Sequence, residues 1–327
     1  MSTPTVNIPT PPTNPAWEHK FSRVFKAPRA LVFRCWADPK LMARWFGPRG
    51  FGMPECAMDF REGGTFEMNM AWPDGTPNRF HGTYRTVVTN EQIVWSSTFP
   101  GFREDFQWTI VHFEDHPDGT QVHVHQCWEE LPEQLLPATQ GAPVGWAETV
   151  DRLDDLLLFE TGKVPMPEPS SRKAVVTLIS DTEVHISRWF AAPRALLYRT
   201  FVEPELHGRW YGGGVYKQVE CTIDAKVGGS YAWTLETPDG ERFSFKGEYR
   251  DVRPPAWIEA TEQFLLGDQW TAPLVSRVTM MERDGQTFFT NRLTYASQAD
   301  RDGHLGAGME EGMNRSLVAL DALLASL

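Results

Sequence analysis

Two charged residues in the second half of the chain, Glu262 and Arg292, have the types expected of an acid–base or carboxylate-binding pair. Glu262 lies in the strand-like segment IEATEQF, in step with Ile258 and Ala260, so alternation places these three side chains on one face. Arg292 lies in a second strand-like segment, FFTNRLTY. If both side chains face the interior, they pair with each other or hold a ligand that carries a carboxylate.

The strand that carries Arg292 has two apolar faces, which leaves the orientation of Arg292 open. The two plausible inner faces are Phe288 with Thr290, and Phe289 with Asn291 and Leu293. A solvated pair across neighbouring strands is therefore an equal alternative to a pocket pair. The first half of the chain carries only Ser97 and Gln126 near these positions, so the sequence predicts two pockets that differ.

His81 is a candidate acid or base within a pocket, because imidazole titrates near neutral pH. It lies between Phe80 and Gly82, and its counterpart in the second half of the chain is Lys246. The sequence identifies no carboxylate partner for it. An ordinary strand histidine is therefore the alternative interpretation.

Four further histidines flank the turn HPDGT, at positions 112, 116, 123 and 125. His123 and His125 share one face of a strand, and a histidine on the neighbouring strand would complete a set of metal ligands. The same alternation directs Val122, Val124 and Gln126 inward and the histidines outward. The sequence therefore predicts surface histidines, no metal and no cofactor.

The four cysteines, Cys35, Cys56, Cys127 and Cys221, lie far apart without a CxxC pair, which excludes a disulfide scaffold or a zinc knuckle. Cys56 and Cys221 occupy equivalent positions in the two halves of the chain. A nucleophilic thiolate needs a nearby base, and neither sequence context supplies one. Both are predicted to be buried, small apolar residues.

The composition is that of an acidic globular protein. The chain has 327 residues and a net charge of −12, and no Lys/Arg run is present to neutralise nucleic-acid phosphates. No apolar run reaches the length of a membrane span, and the N-terminus lacks the pattern of a signal peptide, so we expect a cytoplasmic protein. The 13 Trp and 20 Phe residues either fill cores or line cavities.

The chain contains one unit written twice. The segment FSRVFKAPRALVFRCWADPKLMARWFGP at 21–48 recurs 165 positions later as ISRWFAAPRALLYRTFVEPELHGRWYGG, and 14 of these 28 positions are identical. The same offset continues through the segments with GG, PDG and G-x-Y-R. This similarity indicates duplication of a whole domain, because the period is far longer than that of a solenoid repeat.

Composition predicts the domain boundaries. Residues 1–16 are rich in proline and form a flexible arm, and 163–173 form a proline-rich linker. The two domains are then 17–162 and 174–327. Within each domain we predict an initial strand, two short helices that begin near a proline, several antiparallel strands and a long closing helix, at 144–160 and 305–326. This order predicts an α+β fold in which a curved antiparallel sheet wraps around one helix.

The pattern R-x-F-x-A-P-R-A-L-x-x-R, followed by P-x-L-x-x-R-W-x-G, GG, PDG and G-x-Y-R, resembles the START-like SRPBCC superfamily. The resemblance is to the branch named for the activator of the heat-shock protein 90 ATPase, and it covers nearly all of both domains. It implies a helix-grip fold with a pocket for lipophilic ligands. The superfamily includes lipid and hormone binders, polyketide cyclases and co-chaperone domains, so the fold alone does not choose among these functions.

Under this resemblance the repeated RWFG and RWYG motifs place Trp45 and Trp210 at the pocket mouths, with core packing as the alternative. Met309 and Met313 would form an adaptable apolar wall. The predicted ligand contacts are Trp45, Trp95, Gln126, Trp210, Glu262, Arg292, Met309 and Met313.

We therefore expect the protein to bind a hydrophobic or amphipathic small molecule in one or both cavities, as a monomer that acts as a pseudo-dimer. A cyclase- or hydrolase-type enzyme with a pocket acid/base drawn from His81, Glu262 and Arg292 is one alternative. A co-chaperone-like interaction module, with a chaperone as partner, is another. Neither a nucleic acid nor a membrane span is expected.

Overall fold

A computed structural model describes residues 11–327, which divide into two compact units, one ending at Thr161 and the other starting at Gly162. Ten residues of the predicted N-terminal arm, 1–10, lie outside this range. Within the described range no helix is both long enough and apolar enough to cross a membrane. Each unit is an α+β domain with a curved antiparallel sheet and a closing helix, as predicted.

The first domain has seven strands, three α-helices and a short 3₁₀ turn at Glu133–Leu135. Its elements are β1 Trp17–Phe25, α1 Arg29–Ala37, α2 Pro39–Trp45, β2 Gly52–Met58, β3 Thr65–Ala71, β4 Arg79–Val88, β5 Gln92–Thr98, β6 Gln107–His116, β7 Gly119–Trp128 and α3 Leu136–Glu160. The strands pair in the order β1-β7-β6-β5-β4-β3-β2, so only β1 joins the sheet out of chain order.

The second domain repeats this plan with a nine-stranded sheet. Its elements are β8 Val175–Ser180, β9 Glu183–Phe190, α4 Arg194–Val202, α5 Pro204–His207, β10 Lys217–Ile223, β11 Ser230–Glu236, β12 Arg242–Arg253, β13 Trp257–Leu266, β14 Gln269–Trp270, β15 Leu274–Arg283, β16 Gln286–Thr294, α6 Gln298–Gly306 and α7 Met309–Leu324. The order is β10-β11-β12-β13-β15-β16-β9-β8, with β14 attached to β13.

The closing helices differ from the prediction. α3 begins at Leu136 rather than at 144 and contains Pro143. In the second domain the predicted single helix is two helices, α6 and α7, separated at Gly308. Gly308 has a φ of 83°, a left-handed conformation that glycine adopts at little cost and that ends one helix before the next begins.

A glycine repeated in both sheets allows the strands to bend around each core. A Cβ on Gly82 would lie 2.1 Å from the carbonyl oxygen of Ser96, and one on Gly247 would lie 1.9 Å from that of Thr261. An aromatic ring, Phe66 in the first domain, packs over this position. The pairing register shifts just beyond each glycine, which is the signature of a bulge that increases sheet curvature.

Candidate functional site

The first domain contains a cavity of about 190 Å³ between its sheet and the closing helix α3. Helix α3 contributes Ala142, Gly145, Trp146 and Thr149, which lie at three- and four-residue steps and therefore on one helix face. The rings that line it are Phe46, Phe80, Trp95, Phe99, Trp128 and Trp146. A lining of this kind is typical of a site for a largely apolar ligand.

The cavity occupies only the outer part of the domain. Deeper, between the sheet and the short helices, the free space shrinks to about 10 Å³ among packed side chains that include Trp36 and Tyr84. That is no more than the space of a single water molecule. Phe46, Phe80 and Trp95 line both spaces, so they form the wall between the cavity and the packed core.

Two glutamines on neighbouring strands form the polar part of the lining. The indole N–H of Trp146 donates to the Oε1 atom of Gln126 at 3.0 Å, and the indole N–H of Trp128 donates to that of Gln107 at 3.1 Å. An indole N–H can only donate, so it must face the amide oxygen, and each amide nitrogen keeps its two donors for another partner. The two indoles therefore orient both amides.

Thr109 lies next to both glutamines, two residues after Gln107 on β6, and its side-chain hydroxyl is unsatisfied. It is fully buried, lines the cavity, and its hydroxyl has no hydrogen-bond partner within the described residues. The register of the sheet places Thr109 directly opposite Gln126 on β7. A buried hydroxyl without a partner is costly, so a hydrogen bond from this group to a ligand would be favourable.

Trp95 and Gln126, two of the predicted ligand contacts, thus line the cavity. Sequence reasoning missed Gln107, Thr109, Trp128 and Trp146 as lining residues. Alternation along β6 was an available signal, because Val111 lies in the core and residues two and four positions earlier share its face.

Trp45 and Trp210 lie in the two cores. The fully buried Trp45 donates its indole N–H to the carbonyl oxygen of Cys35 at 2.9 Å, and Trp210 donates to that of Thr200 at 2.8 Å. The Trp45 ring lies behind Phe46, with ring centroids 5.5 Å apart. Both residues therefore pack in the cores, which was the alternative interpretation of this motif.

His81 lies on the outer face of β4, because Phe80 and Tyr84 on that strand face the core. Its Nε2 atom lies 3.2 Å from the Glu104 carboxylate, and about half of its side chain is exposed. The prediction of a pocket acid or base at His81 is therefore wrong. Its carboxylate partner comes from a loop that the sequence could not connect to it.

Glu262 and Arg292 lie on opposite faces of the second sheet, so the predicted pair is wrong. On β16 it is Phe289 and Leu293 that face the core, which directs Arg292 outward. There its Nε atom bonds to the Glu183 carboxylate at 2.9 Å. Glu262 does face inward, as alternation along β13 predicts.

Glu262 lies in a cluster of titratable side chains inside the second domain. Burial raises the pKa of Glu262 to about 7, and an interaction with the Tyr231 hydroxyl opposes this rise. The Tyr231 hydroxyl also donates to the carbonyl oxygen of Thr261 at 2.7 Å. Nearby, the hydroxyl of Tyr295 lies 3.0 Å from the Nδ1 atom of His304. Burial lowers the pKa of His304 to about 4, so this imidazole is neutral at neutral pH.

Met309 and Met313 begin α7 and pack, half-buried, against the core of the second domain. The same hydrogen bond occurs in both closing helices, which identifies equivalent residues. The Thr149 hydroxyl donates to the carbonyl oxygen of Gly145, and the Ser316 hydroxyl donates to that of Gly312. In this alignment Met309 and Met313 take the positions of the cavity residues Ala142 and Trp146.

The histidines and cysteines add no further site. His112 and His123 are paired across β6 and β7, yet within residues 11–327 no group of three or more His, Cys, Asp or Glu side chains could hold a metal ion. Burial raises the pKa of the Cys56 thiol to about 11 and also raises that of Cys221. Both thiols are therefore protonated at neutral pH and are poor nucleophiles.

Comparisons with known proteins agree with this fold. The family model for the activator of Hsp90 ATPase homolog 1-like protein matches residues 26–158 and again 191–325. A solved structure from Rhodobacter sphaeroides is 22% identical over 47% of this chain and 100% of its own, with a TM-score of 0.44. One from Mycobacterium smegmatis is 27% identical over 46% of this chain and 96% of its own, with a TM-score of 0.42. No curated protein matches the sequence.

The family model matches one segment in each of the two domains. The two matched segments include the short helices of each domain and most of its sheet and closing helix, whereas β1, β8 and β9 precede them. The chain therefore belongs to the activator of Hsp90 ATPase homolog 1-like family, as a tandem pair of helix-grip domains.

Proposed function

We propose that the first domain binds a small, uncharged, largely apolar molecule that carries a hydrogen-bond acceptor such as a carbonyl group. The single observation that supports this most directly is the buried Thr109 hydroxyl, which lines an aromatic cavity without a partner. Gln107 lies two residues earlier on the same strand, and Gln126 lies directly opposite on β7. A carbonyl oxygen among these groups would receive hydrogen bonds from the donors that the protein itself leaves unused.

The cavity volume limits the size of the ligand. An apolar cavity of about 150 Å³ accommodates benzene, so about 190 Å³ suits one or two rings rather than a lipid chain. The ligand should also be uncharged, because no Lys, Arg, Asp or Glu is among the residues that line the cavity. A charge placed there would lose its hydration without gaining a partner.

A matched pair of ligands tests the proposal. We suggest 1-tetralone, a two-ring ketone, and tetralin, the corresponding hydrocarbon, titrated into the full chain with tryptophan fluorescence as the readout. Thr109→Val removes the hydroxyl and keeps the shape. It should weaken ketone binding roughly three- to tenfold, the value of one hydrogen bond, and leave hydrocarbon binding unchanged. Ser276→Ala changes the equivalent position in the second domain, where the hydroxyl already bonds to Asn291 at 3.0 Å, and serves as control.

A second variant tests the location of the site. Ala142→Trp places a large ring at the cavity on a helix position that tolerates it, and it should abolish binding of both ligands. The proposal fails if neither ligand binds the wild-type chain, or if both bind Ala142→Trp as well as they bind wild type. Capture of a chaperone that depends on surface residues and survives Ala142→Trp would instead favour the co-chaperone-like alternative.

A further inference from the structure

The interior of the second domain has a different chemistry from that of the first, although the fold is the same. Four equivalent positions change from apolar or small neutral residues to groups that ionise: Phe46 becomes Tyr211, Phe66 becomes Tyr231, Ser97 becomes Glu262 and Trp128 becomes Tyr295. Burial raises the pKa of each of these three tyrosines, and the charge of Glu262 raises it further. The second interior therefore carries one carboxyl and three phenol groups where the first carries apolar or small neutral side chains.

Glu262 has no cationic partner among residues 11–327. Ile258 and Ala260 place this face of β13 in the core, and none of the ion pairs among the described residues includes Glu262. Arg292 faces outward and bonds to Glu183, and the ammonium of Lys246 lies 4.1 Å from the centre of the Trp270 ring. A carboxyl inside a domain without a cation tends to keep its proton, and a bound cation would stabilise the ionised form.

The histidines in this region do not supply that charge. Burial lowers the pKa of both His207 and His304 to about 4, so both are neutral at neutral pH. His207 stacks on Tyr211 with ring centroids 4.7 Å apart, and His304 bonds to Tyr295. The groups around Glu262 are therefore neutral hydroxyls, neutral imidazoles and rings.

An aromatic ring lies beside the position of Glu262, because Tyr231 packs over Gly247 on the strand that pairs with β13. Tyr231 stacks on Trp233 with ring centroids 4.5 Å apart. Tyr211 and Trp233 pack edge to face with ring centroids 5.2 Å apart. Ring faces beside a carboxylate are the combination that binds ammonium groups, through cation–π attraction and an ion pair. Ala260, two positions before Glu262, is equivalent to Trp95 of the first domain. The second domain therefore has a methyl group where the first has an indole.

We propose that the second domain binds the ammonium group of an organic amine through Glu262, with the surrounding rings holding the amine's apolar part. The two domains would then bind ligands of different charge, one neutral and one cationic. This site does not depend on the proposed ligand of the first domain, since none of its residues belongs to that domain.

Binding of the amine is coupled to ionisation of Glu262. In the free protein burial holds the pKa of this carboxyl near 7, and the amine requires the ionised form. Affinity should therefore rise about tenfold between pH 6 and pH 8, while an alkylammonium remains protonated throughout. The titratable groups that face Glu262 do not reverse this trend, because the tyrosines remain neutral and the two histidines remain uncharged over the range.

The test compares 2-phenylethylamine with 2-phenylethanol, its neutral analogue, by calorimetric titration of the full chain. Wild type should bind the amine at least tenfold more tightly than the alcohol at pH 8. Glu262→Gln should lose this preference, and Glu259→Gln should keep it, because Glu259 lies on the same strand but faces outward and pairs with Arg277 at 2.7 Å. Ala142→Trp, which blocks the first cavity, should also keep the preference for the amine. This variant therefore distinguishes amine binding in the second domain from ligand binding in the first.

Three results would overturn the proposal. The first is equal affinity of wild type for the amine and the alcohol, and the second is equal amine affinity of the Glu262→Gln and Glu259→Gln variants. The third needs no variant and so holds even if Glu262→Gln does not fold: an amine affinity of wild type that does not change between pH 6 and pH 8.

Discussion

The indole N–H of Trp146 on the closing helix donates a hydrogen bond to the side-chain oxygen of Gln126 on β7, at 3.0 Å. This bond ties helix α3 to the sheet at the wall of the first cavity. At the equivalent positions the second domain has Met313 and Leu293, and leucine has no hydrogen-bonding side chain. This helix–sheet hydrogen bond is therefore specific to the first domain. It also orients the Gln126 amide, because the oxygen faces Trp146 and the nitrogen is left for another partner.

Trp146→Phe should destabilise the first domain by about 1 kcal/mol or slightly more. The variant keeps an aromatic ring but removes the donor, so the partly buried Gln126 amide oxygen loses its partner. Urea denaturation followed by circular dichroism measures the change, with Met313→Leu in the second domain as control. An unchanged unfolding midpoint would show that water replaces the indole at no cost.

The Arg188–Asp321 ion pair should be more important for stability than its counterpart in the first domain. Arg188 is 1% exposed and bonds to Asp321 on the closing helix, whereas Arg23 bonds to Asp151 at 3.1 Å and is 42% exposed. Asp321→Asn leaves a buried guanidinium without a carboxylate and should cost about 3–5 kcal/mol. Asp151→Asn also breaks the pair with Arg49 at 2.6 Å, but it should cost less than Asp321→Asn because Arg23 and Asp151 are both more than one third exposed. Denaturant unfolding of both variants makes the comparison, and similar losses would refute it.

The stability of the second domain should depend on the ionisation of Glu262. Because burial raises its pKa from 4.5 to about 7, the folded state holds this proton more tightly than the unfolded state does. The resulting stabilisation is complete below about pH 4.5 and is lost as the pH rises through about 7. Its full size is at most about 3 kcal/mol. Glu262→Gln should therefore gain stability relative to wild type as the pH rises.

This dependence must be measured as the difference between wild type and Glu262→Gln. Burial lowers the pKa of His185, His207 and His304 from 6.5 to about 4, and these groups act with the opposite sign. They destabilise the fold as the pH falls below about 6.5. Their contribution is common to both proteins and cancels in the difference. A difference that stays constant from pH 4.5 to pH 8 would contradict the prediction.

Trp45→Phe should affect stability and not ligand binding. The substitution removes the hydrogen bond to the Cys35 carbonyl and leaves a gap in the core, which together should cost about 2 kcal/mol. Because Trp45 lies behind Phe46, the affinity for 1-tetralone should remain within twofold of wild type. Trp210→Phe should cost the second domain a similar amount. A loss of tetralone affinity without a loss of stability would place Trp45 back at the cavity.

The order of elements and the duplication could be predicted because they depend on local patterns and on the repeat itself. Alternation placed Glu262 on the inner face of its strand correctly, since the neighbouring Ile258 is apolar and Glu259 is not. Alternation could not orient Arg292, because Phe288 and Phe289 lie on opposite faces of the strand and are both buried. There the face is chosen by contacts with a distant helix.

Other features depended on long-range partners or on single backbone angles. The RWFG motif marks Trp45 as a repeated residue, but its burial depends on a carbonyl ten residues earlier in the chain. Gln107 lies opposite Trp128, and Thr109 opposite Gln126, only because β6 and β7 pair in one particular register. The break at Gly308 was missed because a glycine within an apolar helical pattern does not by itself predict a left-handed residue.

The replacement of Ser97 by Glu262 has a consequence for how such a protein can evolve. In a homodimer of single domains, every substitution appears in both subunits, so the two interiors remain identical. In a tandem chain each interior mutates separately, and the two are always synthesised in a one-to-one ratio. A carboxyl that would be harmful in one interior can then be retained in the other.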